Sequence, residues 1–214
     1  MKARIFSILT LLFSFHLALA SSDTPVKHKT VYDYSLVDLD GKETPLSTYK
    51  GKALLIVNLA SQSIYKTQLK ALEELQKTYA EKGLIVIGIP CGDFGAQELT
   101  DATALQHYYR DTEHLTFLLF SKSSMRGKDA IPLVRFLTDP KAGIAGGEIH
   151  WNFTKFIIDR TGLPVARMEA DNDPADPEFR VAIEQVLNGT FKKKDADDKD
   201  ADKPPSGDED HDGI

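Results

Sequence analysis

One cysteine, Cys91, stands in the 214 residues, so no intramolecular disulfide can form and the core must hold the fold. Tryptophan is as scarce, with Trp151 alone. Basic residues are outnumbered, 26 Lys and Arg against 32 Asp and Glu. No Lys/Arg stripe interleaved with aromatics compensates, so nucleic acid is not an expected partner. His28, His107, His114, His150 and His211 lack the i, i+4 pairing or Cys/His clustering of a zinc site, so neither a metal nor a cofactor is expected. Long apolar runs are missing except at the start, where Lys2 and Arg4 precede the mainly apolar stretch 5–15 and then Ala18-Leu19-Ala20. That pattern is a secretory signal peptide over 1–20, too short to span a bilayer. Cleavage after Ala20 removes two positive charges and takes the net charge from −6 to −8. The mature chain is expected to be secreted or periplasmic and free of the membrane.

What remains reads as one domain over 21–191 and a tail. Residues 30–37 mix β-branched and aromatic residues as a strand does, and Asp38-Leu39-Asp40-Gly41 turns them into an N-terminal hairpin. The nearly continuous apolar run 53–60 suits a strand covered on both faces. Over 63–82, Tyr65, Leu69, Leu72, Leu75 and Tyr79 recur at helical spacing, and Gly83 closes the helix. A second buried strand follows at 84–89, so strand, helix and strand form a parallel crossover. After a glycine-containing loop at 91–99 come a helix over 100–110, a short strand at 115–120 and a helix over 129–137. The chain breaks at 139–147, then 148–158 and 163–169 form a hairpin about Asp159-Arg160-Thr161-Gly162. Asp176-Pro177-Glu178 opens a last helix to residue 187.

Residues 192–214 hold five Lys, nine acidic residues and almost nothing apolar, which marks a disordered acidic tail. Its end, 208–214, has the acids and glycine of the first half of a calcium loop and stops before the bidentate glutamate. A solvated tail with at most weak cation binding is expected. Asn152-Phe-Thr154 and Asn188-Gly-Thr190 match the glycosylation sequon, the first inside a motif with its own packing reason.

Several segments, quoted as they stand, carry a resemblance: Asn58-Leu-Ala-Ser61, Ile89-Pro-Cys-Gly-Asp-Phe-Gly-Ala-Gln-Glu98, the stretch 117–137 with Gly127, Ala130, Pro132 and Leu133, and Trp151-Asn-Phe-Thr-Lys-Phe156 followed by Ile-Ile-Asp-Arg. In this order, over about 32–187, the chain resembles the glutathione peroxidases. The resemblance implies an α/β thioredoxin-like fold: a central mixed sheet, flanking helices and an N-terminal hairpin. It also implies reduction of hydroperoxides at the expense of an external thiol such as glutathione or thioredoxin. The short connection between Leu137 and Trp151 is similar to that of the family's monomeric members.

The family's reactive cysteine or selenocysteine sits at the N-terminus of the first long helix, where free N–H groups and the helix dipole stabilise a thiolate. Ser63 holds that position here. Its hydroxyl stays protonated near neutral pH and has no counterpart of the sulfenic acid, so it reads as a helix N-cap. The family's hydrogen-bonding glutamine aligns with Asp93, which offers no donor when ionised and opposes a thiolate by like charge. Trp151 and Asn152 match the remaining two members of the tetrad. Read as scaffold, Trp151 is a core strand aromatic whose indole N–H finds a partner, and Asn152 holds a loop backbone. Cys91 is either a small buried hydrophobe or an alternative nucleophile at the C-terminal end of a strand. Residues 107–112, where thioredoxin-dependent members carry a resolving cysteine, have none. The sequence therefore points to an exported peroxidase scaffold with lost or very weak peroxidase activity, kept for binding, or alternatively to a thiol peroxidase using Cys91.

Overall fold

The computed structural model describes residues 29–142 and 146–192; the expected signal peptide, the calcium half-loop and nearly all of the acidic tail lie outside them. The fold is built on strand β3 (Ala53–Leu59), every residue of which is buried. Its residues alternate between two cores. Ala53, Leu55, Val57 and Leu59 face one side, with Leu69, Leu72 and Leu75 of helix α1 (Gln68–Tyr79). Leu54 and Ile56 face the other. A strand that feeds two cores needs apolar side chains on both faces, which is why 53–57 shows no alternation.

Two small strands, β1 (Ser35–Val37) and β2 (Glu43–Pro45), pair as the N-terminal hairpin. Strand β4 (Leu84–Pro90) runs parallel to β3, in register from Ala53 opposite Leu84 to Leu59 opposite Pro90. With β5 (Leu118–Leu119), β6 (Lys155–Ile158) and β7 (Pro164–Met168) they form a five-stranded mixed sheet, ordered β5-β4-β3-β6-β7. β6 is antiparallel to β3 and to β7. Helix α2 is Ala102–Gln106, α3 is Pro132–Thr138 and α4 is Pro177–Leu187. α1 and α4 pack on the first core, and Leu133, Val134 and Leu137 of α3 on the second. Among the described residues no helix is long and apolar enough to cross a membrane.

Several expected elements are shorter than their patterns suggest. Residues 30–37 are not one strand: a 3-10 turn, Val31–Asp33, precedes β1, because the Asp33 carboxyl accepts the Thr30 N–H at 2.9 Å and closes a local turn. The helix over 63–82 begins as a 3-10 turn, Ile64–Thr67, before α1. The helix over 100–110 is α2 running into a π-helical turn, His107–Thr112. Of 115–120 only Leu118 and Leu119 pair with β4. Residues 129–137 divide into a 3-10 turn, Gly127–Asp129, and α3, whose start is set by Pro132. The strand expected over 148–158 begins only at Lys155. Before it Phe153 takes φ +63°, a left-handed conformation that breaks extended pairing.

Two cations, the exposed Arg160 and the buried Lys155, tie these parts together. Arg160 donates from Nε to Leu187 O at 3.1 Å, from Nη1 to Gly51 O at 3.0 Å and from Nη2 to Lys82 O at 2.7 Å. Its guanidinium fills the space that a side chain at Gly83 would need, 2.7 Å from an added Cβ. Lys155 is fully buried, and its Nζ donates to the carbonyls of Glu169, Ala170 and Asn172 at 3.2, 3.3 and 2.7 Å. Burial depresses the Lys155 ammonium to about 8, against the opposing pull of Asp173, Asp171, Glu169 and Asp176.

Removing the three-carbonyl clamp with Arg160→Ala costs about 1 kcal/mol, since solvent screens an exposed guanidinium, and is read as a lower urea midpoint. For Lys155 the sign follows from proton binding. Between pH 8 and about 10 the unfolded chain keeps a proton that the folded chain has shed, so stability rises with pH across that window. Denaturant titrations of the native chain and Lys155→Met at several pH values check this: only the native chain shows the rise.

Candidate active site

The site lies beyond the C-terminal ends of the parallel pair β3 and β4, the edge where parallel sheets present their ligands. Leaving β3, the chain turns through Ala60–Ser63, with the Ser63 N–H on Ala60 O at 3.1 Å. Ser63 then caps the 3-10 turn, its Oγ accepting from the Tyr65 N–H at 3.3 Å, the N-cap role expected from sequence. The residue is only 1 % exposed, whereas Ile64 beside it is 77 % exposed. An alcohol in this place is a structural acceptor.

The turn is held from beneath by Glu98, a buried residue of the loop after β4. Its Oε1 accepts from the Ser61 N–H at 3.2 Å, the Ser61 hydroxyl at 2.5 Å and the Leu99 N–H at 2.9 Å. Its Oε2 accepts from the Tyr109 hydroxyl at 2.5 Å. Burial drives the Tyr109 phenol far above its ordinary pKa, so it remains a donor at all working pH values. Lys122 Nζ closes the loop from outside, donating to Leu99 O at 2.9 Å. Sequence reasoning passed over Glu98 as a functional residue. Its only signal in the sequence is an acid that ends the 89–98 segment.

Asp93 does not face the position of Ser63's hydroxyl as a hydrogen-bonding partner. Its Oδ2 accepts from the Met125 N–H at 2.7 Å and the Ser124 hydroxyl at 2.9 Å, so the carboxyl has become an anchor for 121–126. Cys91 is completely buried in the second core. Burial pushes its thiol up to about 12, and the charge of Asp93 adds to the rise while the Asp93 N–H opposes it. This is the buried-hydrophobe alternative; a thiol so placed supplies no thiolate near neutral pH.

Trp151 corrects an expectation. It is neither on a strand nor in the core: it precedes β6 and is 40 % exposed. Its ring lies near Phe94, 6.5 Å between centroids, and its indole N–H has no protein acceptor among the described residues. The loop that carries it is held by its backbone. Trp151 O accepts from Asn58 Nδ2 at 3.2 Å and Thr154 Oγ1 at 3.0 Å, and the Phe153 N–H reaches Asn58 O at 2.8 Å. That explains an asparagine inside the apolar strand β3. Asn152 is fully buried and braces the facing loop, as expected, donating to Phe94 O at 2.9 Å and to Gln97 Oε1 at 3.0 Å. Buried in this way, it offers no glycosylation acceptor. Gln97 was also passed over in the sequence. Among the described residues no group of three or more His, Cys, Asp or Glu side chains gathers to hold a metal ion.

Comparison with known proteins places this geometry. The glutathione peroxidase family model matches residues 31–138. A glutathione peroxidase of Lactococcus lactis subsp. cremoris (strain MG1363) is 37 % identical over 150 residues, 70 % of this chain and 96 % of that protein. Among solved structures, Trgpx in its apo form superposes with a TM-score of 0.61 at 30 % identity, over 76 % of this chain and 97 % of its own. A thioredoxin family thiol:disulfide interchange protein of Chlorobium tepidum TLS shares the fold at a TM-score of 0.55 and 21 % identity, covering 72 % and 92 % of the two chains. With the thioredoxin-like sheet, the paired motif loops and Trp151-Asn152 all in place, this chain belongs to the glutathione peroxidase family.

Proposed function

We propose that this protein is an exported member of the family in which peroxide reduction has been lost or nearly so, and that its site is kept to bind a ligand or partner. The observation that carries the reading is Ser63: at the position of the reactive thiolate stands a buried hydroxyl already engaged with the Tyr65 N–H. Oxygen there has no sulfenic acid for a thiol to reduce, so the family's cycle has no first step. Asp93 withholds the second group, being bonded to Met125 and Ser124.

Retention for binding is supported by what persists around the hydroxyl. Trp151 presents an exposed ring, and Asn58 Oδ1 and Asn152 Oδ1 are buried acceptors without a protein donor among the described residues. The reading includes export, with cleavage after Ala20, and a monomeric state in keeping with the short connection from Leu137 to Trp151.

The test is hydroperoxide consumption with glutathione, thioredoxin or dithiothreitol as donor. The native chain is expected to show no turnover above the thiol blank, and Ser63→Cys to exceed it by at least about tenfold, since a thiol regains the nucleophile. Native turnover that disappears in Cys91→Ser would replace this reading with a thiol peroxidase using Cys91 and an external thiol.

A further inference from the structure

We infer that Gln97, not residue 93, supplies the amide hydrogen-bond donor of this site, presented to whatever acceptor atom lies over position 63. The inference deepens the binding-scaffold reading and rests on it. Three observations carry it.

First, Gln97 is tied to the residue next to Ser63: the Gln62 N–H donates to Gln97 O at 2.9 Å. A shift of one backbone therefore moves the other. Second, its side chain lies among the retained members of the tetrad. Asn152 Nδ2 donates to Gln97 Oε1 at 3.0 Å, and Asn152 is itself fully buried and fixed by Phe94 O. A Cβ built on Gly95, whose φ is +70°, would lie 3.4 Å from the Trp151 ring and 3.5 Å from Gln97 Cγ, so indole and amide flank the same glycine.

Third, the hydrogen-bond polarity is set. Because the oxygen of the Gln97 amide is occupied by Asn152, the end left over is the Nε2 group with two donors, and no protein acceptor among the described residues takes them. A buried asparagine that fixes a glutamine so that its N–H groups remain free is a device for binding an acceptor: a thiolate, or a peroxide or carboxyl oxygen. Asp93 cannot compete for this role, since its carboxyl is an acceptor and is bonded to Met125 and Ser124.

The probe is a thiolate placed at the site itself, in Ser63→Cys/Cys91→Ser, titrated through its ultraviolet absorbance. Replacing Gln97 by the similarly shaped Met removes the donors, and the thiol pKa is expected to rise by on the order of one unit; Gln97→Glu, which adds a like charge, raises it further. An unchanged pKa in folded Gln97→Met overturns the inference, because a merely structural glutamine would leave the titration where it was. A second readout leaves Gln97 intact: in the Ser63→Cys/Cys91→Ser chain the Gln97 side-chain amide resonances are expected to titrate with the thiol, and resonances that stay still overturn the inference equally. Neither measurement uses peroxide turnover by the native chain, so this assignment and the loss of activity fail separately.

Discussion

Everything at this site depends on the one carboxyl group buried beneath it. Glu98 gathers two backbone N–H groups and two hydroxyls from three places in the chain: the turn after β3, its own loop after β4, and the π-helical turn that carries Tyr109. A buried carboxyl group without such partners would cost several kcal/mol, so its presence obliges the three segments to converge. The π-helical turn carries the hydroxyl that meets this carboxyl. Widening the helix by a residue changes which side chain faces the core, and Tyr109 is the one that reaches Glu98. This brace makes no bond to residue 63 itself.

Around that brace the backbone carries strain. Phe153 and Ala96 take positive φ, +63° and +52°, without being glycine. Such conformations cost on the order of 1–3 kcal/mol each and survive only where neighbours dictate them. For Phe153 the neighbours are visible: Asn58 grips both sides of it, accepting from its N–H and donating to Trp151 O. In the same loops Ser63 and Asp93 are each engaged in a local structural bond, the one with the Tyr65 N–H and the other with Met125 and Ser124.

Much of this was legible in the sequence. The nearly continuous apolar run of β3 announced a strand with a core on each face, and the spacing of Leu69, Leu72 and Leu75 announced α1. Ser63 as a cap followed from what oxygen can do, whereas the sequence left Cys91 open between a buried hydrophobe and a nucleophile, and its complete burial is a property of the folded chain. Trp151 was misplaced because a run of β-branched and aromatic residues reads as strand, whereas Asn58, 93 residues away, imposes a turn on it. Glu98 and Gln97 were illegible for a related reason. Their meaning lies in partners at Ser61, Tyr109 and Asn152, and no local pattern encodes long-range hydrogen bonds.

The central claim is that neither Ser63 nor Cys91 presents a nucleophile to peroxide in the folded protein. The most direct measurement is to expose the native chain to excess hydroperoxide with a sulfenic-acid trap, then unfold it, alkylate it and map residue 91 by mass spectrometry. Cys91 recovered as an unmodified thiol, trapped only when the chain is unfolded before exposure, is the predicted result. Rapid trapping of Cys91 sulfenic acid in the folded chain would contradict the account.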